Sequence, residues 1–142
     1  MSTTTERNKA VVRRFFEAWN SRQPGAFDDL VAPNVVRHCQ ATPGLDVGSL
    51  GDLKEFLRLD TEAFPDSVQT VRHLVAEGDL VAAWAAYEGT QRGPMGPFPP
   101  SGARAQFDFG AAFRMEGGKI AEWWVTWDNM TVLRQLGHVP GG

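Results

Sequence analysis

The spacing of apolar residues changes character partway along the chain. As far as Pro65 they recur at helical spacing; beyond it they alternate with polar ones. Val11, Phe15 and Trp19 form one ridge, with Val12 and Phe16 beside it, while Arg7, Arg13, Arg14 and Glu17 lie elsewhere. This predicts an amphipathic helix running from the capping-box signal Thr3-Thr4-Thr5-Glu6 to about Asn20. After a break at Ser21 to Gly25, Ala26 to Val31 reads as a short second helix stopped near Pro33. Val35 to His38 reads as a brief strand, and Cys39 to Gly48 as loop. The next helix starts at Ser49 to Asp52. Leu50, Leu53, Phe56, Leu57 and Ala63 carry its apolar face, and Pro65 ends it.

The second half reads as sheet. Val68 to Glu77 and Leu80 to Thr90 form a hairpin about Gly78-Asp79. Ala103 to Met115 and the stretch from Lys119 form another about Glu116-Gly117-Gly118. Gln91 to Gly102, rich in proline and glycine, is a stiff connection whose apolar Met95 and Phe98 suit the cover of a cavity mouth. In the last strand Trp123, Val125 and Trp127 point one way, toward a core or dry cavity. Glu122, Trp124, Thr126 and Asp128 point the other, onto an exposed face or a subunit contact. Asp128 stands where a helix N-cap belongs. Met130, Leu133 and Leu136 give that helix its face, and Gly137 closes it. Helices grouped ahead of an antiparallel sheet predict an α+β fold.

With 142 residues the chain is read as one domain, 1–142, long enough for a core. A formal charge of −3 argues against nucleic acid or an anionic membrane as partner. No apolar run spans a bilayer and no signal peptide is read, and Cys39, the single cysteine, suits a reducing cytoplasm. One cysteine and three scattered histidines make a poor zinc site, so no metal is expected.

Six segments together resemble the SnoaL-like polyketide cyclases and their ester-cyclase relatives, of the nuclear transport factor 2-like superfamily. They are Ala63-Phe64-Pro65-Asp66, Glu77-Gly78-Asp79, Glu88-Gly89-Thr90-Gln91, Pro99-Pro100-Ser101-Gly102, Gly118-Lys119-Ile120-Ala121-Glu122 and Arg134-Gln135-Leu136-Gly137, in the family's order and spacing. The resemblance implies a curved antiparallel sheet wrapped around helices that form a cone, a deep apolar cavity and commonly a homodimer. It also implies ring closure in an aromatic polyketide by aldol chemistry without a cofactor: a cavity carboxylate takes the acidic proton between two carbonyls. That carboxylate aligns with Val125, and the family's histidine on the preceding strand falls near Ala111, so neither matches; the junction aspartate matches Asp128.

Two residues are therefore the candidate catalysts. Asp128 is either a buried base among tryptophans or the cap of the last helix. His38, where ester-cyclase relatives often carry histidine, is either an acid or base or a rim residue bonded to a loop carbonyl. Phe16, Phe109, Val125 and Trp127 are expected to line the cavity. Gln91 could hydrogen-bond a substrate carbonyl. Trp84 and Tyr87 lie on opposite faces of one strand, so only one of them lines the cavity. Trp84 joins the substrate-binding set, and Tyr87 could donate to a carbonyl oxygen. His73 is expected on the strand surface and His138 in a loose tail. Arg114 is expected to pair with Asp108 or with Glu122 across the hairpin. Three functions follow: a cyclase of secondary metabolism, a hydroxylation component that orients a polyketide for O2 or with a partner reductase, and a non-catalytic binding module for a small apolar, carbonyl-rich ligand.

Overall fold

In the computed structural model, which describes residues 3–140, the Thr3 hydroxyl accepts the Glu6 N–H at 3.1 Å and opens α1 (Thr4–Ser21). The helix buries Phe15 and Trp19 of the ridge read from its sequence, with Val12 and Phe16 beside it, while Val11 is half-buried. It ends at Arg22 in the left-handed region, with φ 58°. The Asn20 amide then clamps the end of α1 to the next edge strand through two 2.8 Å bonds to the Gln69 backbone.

The expected second helix is instead a single 3-10 turn, Pro24–Phe27, and Val31 already begins β1 (Val31–His38). Pro33 interrupts neither. It lies where the β1 register shifts, between Val31 and Val36, on an edge strand where a missing N–H is tolerated. Ser49 caps α2 (Leu50–Ala63) by accepting the Asp52 N–H at 3.0 Å. Four strands follow: β2 (Val68–Glu77), β3 (Leu80–Thr90), β4 (Arg104–Glu116) and β5 (Lys119–Thr126). The last helix is α3 (Asn129–Leu136).

The five strands form one sheet in the order β1-β5-β4-β3-β2. The expectation of an antiparallel sheet holds for β2 to β5, but β1 pairs parallel with β5, so the sheet is mixed. The parallel pairing is possible because two long segments separate those strands, and a parallel neighbour needs such a crossover. Register shifts at Val71/His73 and at Arg114/Met115 bend the strands, which curls the sheet around α1 and α2. The architecture is the α+β cone that the resemblance implies.

Candidate functional site

Register sorts the strands' side chains into two faces. Tyr87 stands opposite Phe107, Ala85 opposite Phe109, Ala83 opposite Ala111, and Ala111 opposite Val125. These residues face inward, and Trp123 with Arg37 of β1 continues the same face. At the narrow end the aromatics interlock: Phe15 lies 5.3 Å from Phe27 and 5.6 Å from both Phe113 and Trp123, and Phe16 lies 6.2 Å from Phe109. The expected deep cavity is thus largely occupied there by packed rings. Toward the other end Phe56, Phe107, Val125 and Trp127 face inward while keeping part of their surface exposed.

A chain of contacts crosses that open end. Trp127 lies 6.0 Å from Phe107, and Phe107 stacks on Tyr87 at 5.2 Å. The Tyr87 O–H donates to Asp60 Oδ1 at 2.9 Å, and the Trp19 indole N–H donates to Asp60 Oδ2 at 3.0 Å. Trp19 meets Phe56 edge-on at 5.2 Å, and the Arg37 guanidinium lies 4.4 Å over the Phe56 ring. Because Arg37 of β1 pairs in register with Trp123 of β5, the chain of contacts returns to the strand that Trp127 follows. Asp60 keeps some contact with solvent, yet burial of its carboxylate raises its pKa above the ordinary 3.8. Trp19, Tyr87, Arg22 and Arg37 all pull the other way without cancelling that effect. Burial, and then the charge of Asp60, push the Tyr87 phenol well above its usual range. Burial lowers the Arg37 pKa, and its guanidinium donates to Thr42 Oγ1 at 3.0 Å.

Asp60 was not among the candidates read from the sequence, though a signal exists. It continues the apolar ridge of α2 through Leu53, Phe56 and Leu57, where a carboxylate is expected only with partners.

The candidates named from the sequence are scattered. Phe16, Phe109, Val125 and Trp127 do share the inward face or its helix wall. Ala111 and Val125, the positions of the family's histidine and carboxylate, are direct cross-strand partners there, and neither can ionise. His38 is on the opposite, convex face. It pairs in register with Trp124, stacks on it at 5.4 Å, and places Nε2 2.6 Å from Glu122 Oε2. Parity along β1 decides this: Arg37 faces in, so His38 faces out. The bonds from His38 and then Arg114 lower the Glu122 pKa. Trp84 also faces out, 47 % exposed, so Tyr87 is the one of that pair that faces inward.

Gln91 is fully buried, but its amide is already occupied. Nε2 donates to the carbonyls of Gly93, Phe98 and Pro99, and Oε1 accepts from Ser101 Oγ and His138 Nε2. It staples the 91–102 connection to the C-terminal segment, so His138, packed 4.9 Å from Phe98, is docked and not loose. Asp128 is exposed and caps α3. It accepts the Thr131 N–H at 3.2 Å and the Thr131 hydroxyl at 2.8 Å, and these bonds lower its pKa. Arg114 pairs with Glu122 at 3.1 Å, while Asp108 faces Arg72 at 3.7 Å. His73 is exposed on β2. Among the described residues no helix is long and apolar enough to cross a membrane.

Comparison with known proteins bears on what this arrangement is. No curated protein matches the chain in sequence. Among solved structures, IdmH from Streptomyces antibioticus, a proposed polyketide cyclase, is 28% identical, with TM-score 0.78 over 92% of this chain and 98% of that one. AclR from Streptomyces galilaeus, a proposed hydroxylase, is 25% identical, with TM-score 0.81 over 97% of this chain and 89% of that one. A protein of ketosteroid isomerase-like fold from Catenulispora acidiphila is 19% identical, with TM-score 0.78 over 92% of this chain and 93% of that one, a likeness of fold alone. The family profile described as SnoaL-like polyketide cyclase matches residues 9–136. With nearly the whole chain matched and a curved sheet closed over its helices, this protein belongs to the SnoaL-like polyketide cyclase family, with its nuclear transport factor 2-like α+β fold.

Proposed function

We propose that this chain is an enzyme of secondary metabolism acting on a flat, apolar, carbonyl-rich compound of the aromatic polyketide type. Its chemistry is proton transfer without a cofactor, in an aldol ring closure or a related enolisation, carried out in the cytoplasm. The observation that carries this reading is the inward aromatic series in which Trp127 and Phe107 are part-exposed at the open end of the cone and the buried Tyr87 behind them donates to a carboxylate. Flat rings stack on such faces, and a carboxylate supplies the base that enolisation of a carbonyl compound needs. Emodin, a flat anthraquinone, is a suitable probe. It should quench the tryptophan fluorescence, and Val125→Trp, which fills the inward face, should weaken that binding about tenfold or more. Undiminished quenching in the variant would place the ligand elsewhere and defeat the reading.

A second reading, a hydroxylation component that orients its substrate for O2 or beside a partner reductase, is favoured by the apolar pair Ala111 and Val125 and by the likeness to AclR. It requires oxygen uptake when protein, anthrone and a reductant are mixed, which the first reading does not. In either case the partner copy is a second chain. The convex face exposes Trp84 and Trp124 with Val36, Val75 and Leu80, apolar side chains that a symmetric contact would cover.

A further inference from the structure

We propose that Asp60 is the base of this enzyme, replacing from α2 the carboxylate that β5 lacks at Val125, with Trp19 and Tyr87 as its positioning residues. The inference rests on the reading that the open end of the cone is the site, and it goes further by naming the group that moves the proton. Three observations carry it. Asp60 lies on the inward ridge of an amphipathic helix, in line with Leu53, Phe56 and Leu57, where burial disfavours a charged carboxylate. Its two oxygens are held by two donors from different elements, Trp19 Nε1–H of α1 and Tyr87 O–H of β3, which fixes the plane of the carboxylate. Each oxygen has a further lone pair beyond the bond it accepts. And the aromatic series from Trp127 through Phe107 and Tyr87 ends on Asp60, while the charges of Arg22 and Arg37 favour its ionised form.

The substrate class follows from the chemistry. A carboxylate whose proton affinity is raised by burial suits a carbon acid activated by adjacent carbonyl groups. In the forward step an Asp60 oxygen forms a bond to the proton and the carbon–hydrogen bond breaks. Its electron pair becomes the enolate double bond, and the carbonyl π pair moves onto oxygen. The negative charge passes from Asp60 to that oxygen while Arg22 and Arg37 keep the site's positive balance. In ring closure the enolate carbon then bonds to a second carbonyl carbon of the same molecule, and the new alkoxide takes the proton back from Asp60. Nothing is oxidised or reduced, and the base is regenerated. The charged and titratable groups that act on Asp60 are Arg22 at the end of α1, Arg37 of β1 and Tyr87 of β3.

The enolisation half-reaction can be tested without the natural substrate, using 2-tetralone in D2O and following loss of its C1 proton signal by NMR. The wild-type protein should accelerate exchange, with a rate that rises with pH as Asp60 ionises and then levels. Asp60→Asn is the conservative variant: its Oδ1 accepts from Trp19, and its amide donates to a Tyr87 oxygen that has turned to accept. It should fold and unfold cooperatively and still quench with emodin, yet lose the acceleration about 10²–10⁴-fold and with it the pH dependence. Tyr87→Phe should keep the pH dependence but move its midpoint upward, because the carboxylate loses a donor that favours its charged form. That shift is not expected of a merely structural residue, and it serves if Asp60→Asn fails to fold. Acceleration that persists in Asp60→Asn, a midpoint unmoved in Tyr87→Phe, or no acceleration by wild-type protein that binds 2-tetralone would each overturn the assignment. Failure of emodin and 2-tetralone to bind at all would instead overturn the site itself.

Discussion

Asp60 and Asp128 are the same residue type put to opposite uses by their surroundings. Asp128 sits in water and accepts two bonds from Thr131, which favour its charged form. Asp60 is walled by Trp19, Tyr87 and Phe56, and burial favours its neutral form. The two should therefore bend stability against pH in opposite senses. For Asp128 the folded pKa lies below the unfolded value, so its contribution is full above the ordinary aspartate range and fades as pH falls through it. For Asp60 the folded pKa lies above, so no penalty exists below the ordinary 3.8. The penalty grows as pH rises from there to the folded value, then stays constant. Melting curves from acid to neutral pH check this. The melting temperature of Asp60→Asn minus that of wild type should rise with pH, while that of Asp128→Asn minus wild type should fall slightly. Asparagine keeps the α3 cap, so the second loss is small, whereas Asp128→Ala should melt a few degrees lower. Slopes of the same sign for the two asparagine variants would contradict the assigned environments.

Among the elements, the 91–102 connection shows how a segment without regular structure is held. The Gln91 amide satisfies three carbonyls of the connection and the His138 ring, and the Arg92 and Gly93 N–H groups donate to the Ala63 carbonyl at the end of α2. Gly93 is required here because a Cβ would run into the Glu62 carbonyl oxygen. Gln91→Leu keeps the bulk but leaves those groups unpaired, so it should lower stability by about 1–3 kcal/mol and speed proteolysis within residues 92–102. Emodin binding should survive in the folded fraction. A fully stable variant with binding abolished would show that the amide serves a ligand instead. The reach of this side chain is not legible in the sequence, because glutamine at a strand end reads alike whether it meets a ligand or a carbonyl eight residues on.

At the scale of the whole molecule, the two faces of the sheet are specialised. The concave one is packed with rings, and the convex one leaves Trp124 41 % exposed beside Trp84 and the His38–Glu122–Arg114 network. A second copy covering that face would account for the tryptophans. Light scattering at micromolar concentration should give the mass of a dimer, and Trp84→Glu together with Trp124→Glu should give a folded monomer, since a carboxylate buried at a symmetric contact meets its own copy's charge. A wild-type monomer would defeat the arrangement.

Much of this molecule follows from local order in its sequence. The alternation in β5 assigns Trp123 and Val125 to the inside, the two glycine turns set the hairpins, and Thr3, Ser49 and Asp128 cap the three helices they precede. Such features depend on neighbours a few residues apart, and backbone geometry enforces them wherever the chain goes. What only the tertiary structure decided depends on residues far apart. The parallel pairing of β1 with β5 sends His38 outward onto Trp124. Asp60 gains its meaning from Trp19 and Tyr87, which lie 41 and 27 residues away. A carboxylate's solvation and its donors are set by what folds against it, and that is a property of the assembled cone, not of the helix that carries it.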